Sequence, residues 1–555
     1  MIKKQPTVSV GYMIRTVSTQ SFSDQKPGTS GLRKKVKHVQ QPHYLANFVQ
    51  SMLDLLSTSE KELLIVGGDG RYYNDHAIQH ILKIAAANQV RKVLVGRGGI
   101  LSTPAVSNLI RHYGAGGGII LSASHNPGGP EGDFGIKFNN SNGSPAPESF
   151  TDALYERTQK ITQFHIFDVS DIDISTLGNT ELNNMVIEVI DPVTEYSELM
   201  SRLFDFQWLK KAFSEGSLSL AFDAMHAVTG PYAKTVFVDE LGAPSEAIIN
   251  GVPLEDFGGE HPDPNLVHAK ALIQHMSKED SPLLGAASDG DGDRNLILGQ
   301  DIFVSPSDSL AVIAEYSHLI PQFEQGLSGV ARSMPTSTAL DRVALDKGIP
   351  CFETPTGWKF FGNLLDAGKI NLCGEESFGT GADHIREKDG IWTVLCWLTI
   401  CGQLKQSPKQ ILAVLWNKYG RSYYCRYDYE NIPQEKADII MSELAKRAEQ
   451  FTNTIAPEYI IDNADSFSYS DPVDGSVSKN QGIRLVFRGG HRIVYRLSGT
   501  GTGNATLRVY LEKIETDADK LFDDVFDTLS SLGRVADAIA GIEENTGMKQ
   551  PTVKT

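Results

Sequence analysis

The segment Leu121-Ser122-Ala123-Ser124-His125-Asn126-Pro127-Gly128-Gly129 follows an apolar run, Gly117 to Ile120, and leaves through a proline and two glycines that bend its exit. A hydroxyl at such a turn can accept a phosphoryl group and give it up again. Ser124 is therefore a carrier candidate, with His125 and Lys137 available to orient or neutralise anionic groups. A lone Ser-His-Asn turn is ordinarily a solvated loop, so the reading rests on a second segment, Asp289-Gly290-Asp291-Gly292-Asp293-Arg294. Its carboxylates at i, i+2 and i+4 alternate with glycines that permit a tight loop. Three hard oxygen ligands can then converge on Mg²⁺, with an oxygen on phosphorylated Ser124 filling another position. A calcium EF-hand fits badly, because Arg294 stands where its turn needs Gly and Gln300 where its twelfth position needs Glu. Arg294 suits a phosphoryl oxygen instead.

Two further loops supply complementary groups. Gly374-Glu375-Glu376-Ser377-Phe378-Gly379 can turn Glu375 and Ser377 to one side of an extended loop, where they would exchange hydrogen bonds with adjacent sugar hydroxyls, while Glu376 points elsewhere. It continues into His384-Ile385-Arg386-Glu387-Lys388-Asp389-Gly390, in which Lys388 becomes a proton-transfer candidate if its pKa falls in an enclosed site. The segment Arg496-Leu497-Ser498-Gly499-Thr500-Gly501-Thr502-Gly503-Asn504-Ala505-Thr506-Leu507-Arg508 combines small residues, hydroxyls and two arginines into a phosphate clamp. It is not a Walker A loop, since no Gly-Lys-Ser/Thr ending is present.

These loops need a scaffold. The residues from Glu62 to Gly67 read as a short buried strand running into Gly67-Gly68-Asp69-Gly70, Asp75 to Asn88 as a helix, and Lys92 to Gly96 as the next strand. The same α/β rhythm recurs at Leu218 to Asp223 and Leu283 to Ala287. The last segment differs: Arg484 to Phe487, Ile493 to Arg496 and Thr506 to Leu511 are short strands, and a helix closes the chain. Soft boundaries near 205, 320 and 430 give an N-terminal α/β domain (1–205) with the serine loop and an α/β domain (206–320) with the acidic loop. An α/β domain (321–430) with the sugar-reading loop and a C-terminal α+β domain (431–555) with the phosphate clamp follow.

The length of 555 residues demands several domains, and 41% apolar with 21% charged residues argues against a largely disordered chain. The net charge of −17 makes nucleic-acid binding an unfavourable reading, since that mode neutralises phosphates with basic groups. A local arginine cluster can still reverse the field inside an acidic protein. The five cysteines, Cys351, Cys373, Cys396, Cys401 and Cys425, lack paired Cys-x-x-Cys spacing and read as reduced core thiols. The most apolar stretch, Ile391 to Ile400, is too short to span a bilayer, so a cytoplasmic protein without a transmembrane segment is expected.

Taken together, Lys26-Pro27-Gly28-Thr29-Ser30-Gly31-Leu32-Arg33 and the four loops, in this order, resemble the phosphoglucomutases of the α-D-phosphohexomutase superfamily, close to the eukaryotic branch that includes parafusin. The resemblance covers nearly the whole chain. It implies three mixed-sheet α/β/α domains followed by a smaller α+β domain, arranged around a central cleft. By the same resemblance, Ser124 is the phosphoserine, His125 and Lys137 line its site, and Asp289, Asp291 and Asp293 bind Mg²⁺ with Ser124. Arg294 would neutralise the reacting phosphate, and Lys388 is an acid/base candidate. Thr29, Ser30 and Arg33 would lie near the catalytic end, and Thr356, Gly357, Trp358, Glu375 and Ser377 would contact the sugar. Arg496, Ser498, Thr500 and Arg508, joined by Arg421, would hold the far phosphate.

Two positions depart from the family pattern, Ser122 where many members carry Thr and Asn504 at a Gly-like position. The implied activity is reversible interconversion of α-D-glucose 1-phosphate and α-D-glucose 6-phosphate, with glucose 1,6-bisphosphate as bound intermediate and activating donor. A phosphatase is the nearest mechanistic rival, and a mannose or N-acetylglucosamine phosphate mutase is the rival in substrate. The parafusin branch adds a secretion-associated reading, with vesicle-associated protein partners and peripheral association with secretory vesicles.

Overall fold

Short apolar runs closed by glycine or aspartate build the first sheet, because a strand covered on both faces must present side chains without polar groups. Leu64–Gly68 and Gly117–Leu121 are buried along their whole length. The computed structural model describes residues 13–28, 30–448, 459–499 and 504–555. The chain divides into two compact units: Met1–Phe303 with Tyr316–Gly326 and Ser377–Pro408, and Val304–Glu315 with Leu327–Glu376 and Lys409–Thr555.

In the first unit a seven-stranded sheet runs in the order Leu32–Lys35, Asp133–Asn140, Gly117–Leu121, Leu64–Gly68, Lys92–Ile100, Met185–Ile190, Gly178–Leu182. The four strands from Gly117–Leu121 to Met185–Ile190 pair in parallel and the outer ones antiparallel, so the sheet is mixed. The helices Tyr44–Leu55 and Asn74–Ala87 close its core with Phe48, Met52, Ile78 and Ile81. A second mixed sheet aligns Ile248–Ile249, Leu220–Asp223 and Leu284–Ala287 in parallel and adds Leu296–Gly299 antiparallel. The serine loop leaves the end of Gly117–Leu121 and the acidic loop leaves Leu284–Ala287. Both therefore start from the carboxyl ends of parallel strands, where open α/β sheets place ligands.

Helix Thr103–Tyr113 begins where Ser102 accepts a hydrogen bond from the Ala105 amide and ends at Gly114 in the left-handed region. Helix Gly390–Leu404 starts at Asp389, which accepts from the Trp392 amide, and is apolar on all sides because the interior surrounds it. Among the described residues no helix is long and apolar enough to cross a membrane. All five cysteines are free thiols, and all but Cys351 are buried.

In the second unit, Cys351–Thr354, Val330–Ser333 and Leu372–Glu375 lie side by side in parallel. An antiparallel sheet follows in the order Ile461–Ser466, Ile483–Phe487, Arg492–Gly499, Asn504–Glu515, Arg421–Pro433, Val553–Lys554. Side chains alternate across it. Tyr423, Cys425, Tyr427, Tyr429, Tyr495, Leu507, Val509 and Leu511 form one core with helix Val525–Ala540. The intervening positions, Arg426, Asp428, Arg496 and Arg508, are left on the opposite face.

Candidate active site

Ser124 occupies the left-handed region at φ 54°, a conformation costly for a residue with a Cβ. Its hydroxyl donates to Asp289 Oδ2 at 2.8 Å, and His125 Nδ1 lies 3.4 Å from Ser124 Oγ. The acidic loop wraps around Asp289, whose Oδ1 accepts from the amides of Asp293 and Arg294 at 3.0 and 3.1 Å. Gly292, at φ 81°, supplies the turn between them.

Asp289, Asp291 and Asp293 are all buried, and their ligand oxygens lie within 4.8 Å of one another. One oxygen of Asp291 is taken by the Thr103 hydroxyl at 2.6 Å and by Lys137 Nζ at 3.4 Å, and one of Asp293 by Lys388 Nζ at 3.2 Å. The other oxygen of each, Oδ1, is buried without a hydrogen-bond partner. Two orphaned carboxylate oxygens beside a third carboxylate are what a hard divalent cation requires, so this donor set fits such an ion.

Cations crowd the same place. Arg294 reaches Asp263 Oδ1 at 3.5 Å and Asp289 Oδ2 at 3.9 Å; although burial opposes its charge, Asp263 and the loop aspartates hold its pKa above the ordinary arginine value. Burial lowers Arg33, partly offset by Asp291 and Asp293. Lys137 also lies 3.8 Å from the buried Glu387, which accepts from Asn139 Nδ2 at 2.8 Å. Burial, reinforced by Arg294, Arg33 and Lys388, pushes His125 well below the ordinary histidine value, so its imidazole is neutral near pH 7. Burial and the neighbouring aspartates push Asp289 well above its ordinary range, the repulsion that a bound cation would relieve.

The first unit thus brings together Ser124, His125, Lys137, Asp289, Asp291, Asp293, Arg294, Lys388 and Arg33. Ser30 is exposed on the turn before Arg33, and Ser377 is half-buried. Thr29 and Thr500 lie outside the described residues.

The second unit carries the other predicted groups. Glu375 accepts from the Gly357 amide at 2.9 Å, and Gly357 at φ 128° holds a conformation that favours glycine. Beside it, Thr356 Oγ1 and Trp358 Nε1 are buried without hydrogen-bond partners. Glu376 is buried and accepts from Ser333 Oγ at 3.1 Å. In the antiparallel sheet Arg496 stands directly opposite Arg508, and Arg508 opposite Asp428. Facing like charges are unfavourable without a counter-charge. Asp428 supplies part of it, 2.9 Å from Arg426 Nε and 3.8 Å from Arg508 Nε, and Arg496 donates to the Tyr510 hydroxyl at 3.2 Å. Burial disfavours the charge on Arg496, but Tyr510, Glu376 and Glu375 hold its pKa above the ordinary value. Ser498 is half-buried, paired with Thr506.

Arg421 is a correction. Its guanidinium is sandwiched 4.2 Å from the Trp416 ring and 4.0 Å from the Tyr423 ring and donates to the Leu521 carbonyl at 2.7 Å. It pairs across the sheet with Glu515, seven positions along the strand from the Arg508 row, and is spent on packing. Arg426 takes its place in the arginine row. Sequence reasoning also left Asp69, Arg71, Thr103 and Glu387 without a role. A fully buried Asp-Arg pair just past a strand's carboxyl end is the signal that marks the first two.

A serine against a buried carboxylate triad able to hold a divalent cation, ringed by cations, on the carboxyl ends of α/β strands, is the arrangement of a phosphoryl-transfer enzyme. Family models for the phosphoglucomutase/phosphomannomutase alpha/beta/alpha domains I, II and III match residues 24–165, 194–301 and 305–419, and that for the phosphoglucomutase-1 C-terminal domain matches 421–552. The chain belongs to the phosphoglucomutase/phosphomannomutase family, with three α/β/α domains and a smaller C-terminal α+β domain. It is 53% identical to the phosphoglucomutase of Rhizobium radiobacter over 98% of this chain and 100% of that protein. Human phosphoglucomutase-1 is 50% identical over 98% of this chain and 100% of its own. The crystal structure of the Paramecium exocytosis-sensitive phosphoprotein pp63/parafusin, a phosphoglucomutase in its open form, matches with a TM-score of 0.91 at 49% identity, over 98% of this chain and 99% of that one.

Proposed function

We propose that the chain interconverts α-D-glucose 1-phosphate and α-D-glucose 6-phosphate, with Ser124 as phosphoryl carrier and glucose 1,6-bisphosphate as bound intermediate. The observation that carries this reading is the Ser124 hydroxyl at 2.8 Å from Asp289, inside a triad in which Asp291 Oδ1 and Asp293 Oδ1 are unpaired. In the first half-reaction the sugar's free 6-hydroxyl oxygen bonds to the phosphorus on Ser124, the P–Oγ bond breaks, and the hydroxyl proton passes by way of a base to the departing Ser124 oxygen. The bisphosphate then presents its other end, and the reverse transfer returns the 1-phosphoryl group to Ser124. Neutral His125 can take the proton, and Lys388 is the second candidate. Arg294, Lys137 and Arg33 offset the charge on the phosphoryl oxygens.

Asp289, Asp291 and Asp293, with an oxygen on Ser124, would hold Mg²⁺, which when bound neutralises charge on the transferring group. Glu375, Ser377, Thr356, Gly357 and Trp358 read the sugar hydroxyls; the orphaned Thr356 Oγ1 and Trp358 Nε1 support that role. Arg426, Arg496 and Arg508, with Ser498 and Thr500, take the phosphate that is not being transferred. Ser30, with Thr29, would border the reacting end, and a cytoplasmic location suits these substrates. Turnover of glucose 1-phosphate with Mg²⁺ and trace bisphosphate tests the reading: Ser124→Ala, folded as the parent, should abolish it, and retained turnover would reject the carrier.

A parafusin-like secretory role with vesicle-associated partners is the second reading, supported by the 49% identity to the Paramecium phosphoprotein. Co-sedimentation with secretory vesicles, retained in Ser124→Ala, would support it, and absence of binding would reject it.

A further inference from the structure

Asp69 and Arg71 take no part in the chemistry above, yet their side chains are fully buried, and Arg71 ends on the Ser124 carbonyl. Arg71 Nε lies 3.1 and 2.9 Å from the two oxygens of Asp69. NH2 also lies 2.9 Å from Asp69 Oδ2, and the guanidinium reaches main-chain carbonyls as well, NH1 to Asp133 at 2.9 Å and NH2 to Ser124 at 2.8 Å. Phe257 covers the guanidinium at 5.2 Å. On the other side of the same residue, the Ser124 amide donates to Ser122 Oγ at 2.7 Å, and, against the burial that raises the pKa of the Asp69 carboxyl, the Ser122 side chain helps to lower it. The two peptide groups flanking the Ser124 Cα are therefore held on separate sides, one by Arg71 and one by Ser122, beside the same buried carboxylate. Gly290 closes the remaining side: a Cβ there would lie 2.3 Å from the Ser124 carbonyl oxygen.

A serine at φ 54° persists only where its surroundings over-determine it. We propose that Asp69, Arg71 and Ser122 are positioning residues that hold Ser124 in this conformation, so that its Oγ returns to the same place by Asp289 in both transfers. The inference rests on Ser124 being the phosphoryl carrier. Within one cycle that oxygen serves once as leaving group and once as nucleophile, and its substituent changes between a proton and a phosphoryl group. A brace on the backbone is indifferent to that change. It touches no substrate atom, so its loss lowers the rate of transfer and leaves substrate affinity in place. Arginine is required because one planar group serves a carboxylate and several carbonyls at once, which an ammonium cannot match.

The test uses Arg71→Lys, Ser122→Ala and Ser122→Thr in the full chain, following label transfer from ³²P-glucose 1,6-bisphosphate to Ser124 alongside steady-state kinetics. Arg71→Lys and Ser122→Ala should lower both the labelling rate and kcat about 100-fold with KM shifted less than about threefold, and Ser122→Thr, which keeps the hydroxyl, should recover most of the loss. A purely structural role would lower Tm and leave the kcat of the folded protein unchanged. Folded Arg71→Lys and Ser122→Ala that label and turn over like the parent, or that change KM alone, would overturn the proposal. If Arg71→Lys does not fold, the Ser122 pair decides, because it leaves the buried ion pair intact. A parent protein that never labels at Ser124 would instead overturn the carrier reading, and this inference with it.

Discussion

Lys137 and Asp291 form a buried ion pair, Nζ to Oδ2 3.4 Å, and the same ammonium lies 3.8 Å from Glu387. Burial opposes the lysine's charge, but Glu387, Asp291 and Asp293 raise its pKa well above the ordinary value, so it stays a cation throughout the accessible pH range. By taking Oδ2 it leaves Asp291 Oδ1 unpaired.

Replacing this cation separates two roles. Lys137→Met should lower kcat about 100-fold, because one group that stabilises the transferring phosphoryl is gone. The site is then more negative, so Mg²⁺ should half-saturate at an equal or lower concentration than in the parent. A Mg²⁺ titration of turnover checks this; weakened metal dependence with unchanged kcat would argue that Lys137 only orients Asp291.

The two arginines of strand Arg421–Pro433, Arg421 and Arg426, should behave differently. Arg426→Ala should lower kcat/KM for glucose 1-phosphate at least about tenfold through KM, the effect of losing one hydrogen bond to a charged group. Arg421→Ala should leave KM unchanged and cost about 2 kcal/mol of stability, since its guanidinium is stacked on Trp416 and Tyr423. Steady-state kinetics and urea unfolding on both variants distinguish them.

Glu512 sets an acid limit on the second unit. Burial would raise its pKa, but Arg492 at 2.7 Å, Arg342, and hydrogen bonds from Thr338 and Ser422 pull it down to about 2, against an ordinary 4.5. A depressed carboxyl pKa contributes stability that is complete above about pH 4.5 and is lost as pH falls toward 2. The linkage amounts to about 3 kcal/mol at neutral pH. Glu512→Gln should therefore destabilise this unit at pH 7, and the gap between variant and parent should narrow steadily below pH 4.5, as read by urea unfolding at several pH values.

What could be read from the chain follows how the chemistry is distributed along it. The serine loop, the acidic loop and the arginine-bearing strands are contiguous, and strand ends marked by Gly68 or Asp223 show where loops leave the sheets. Alternation alone explains why Arg496 and Arg508 share a face. Thr103 was not legible, because its hydroxyl meets Asp291 from 188 residues away and nothing in its local pattern differs from a helix start. Arg426 and Arg421 lie on one strand, each within two residues of a tyrosine. Only the cross-strand register and the Trp416 ring separate Arg426, in the row with Arg508, from Arg421, stacked in the packing. The return of Ser377–Pro408 to the first unit is likewise a tertiary fact with no local sign.

The central claim is that Ser124 carries the group that appears in the product. The direct measurement is a single turnover of glucose 1-phosphate by protein stoichiometrically labelled with ³²P on Ser124, followed by separation of the products. The account predicts that the label leaves Ser124 and appears on the 6-oxygen of glucose 6-phosphate, while the unlabelled 1-phosphate ends on Ser124. Label released as inorganic phosphate, or label still on Ser124 after glucose 6-phosphate has formed, would contradict it.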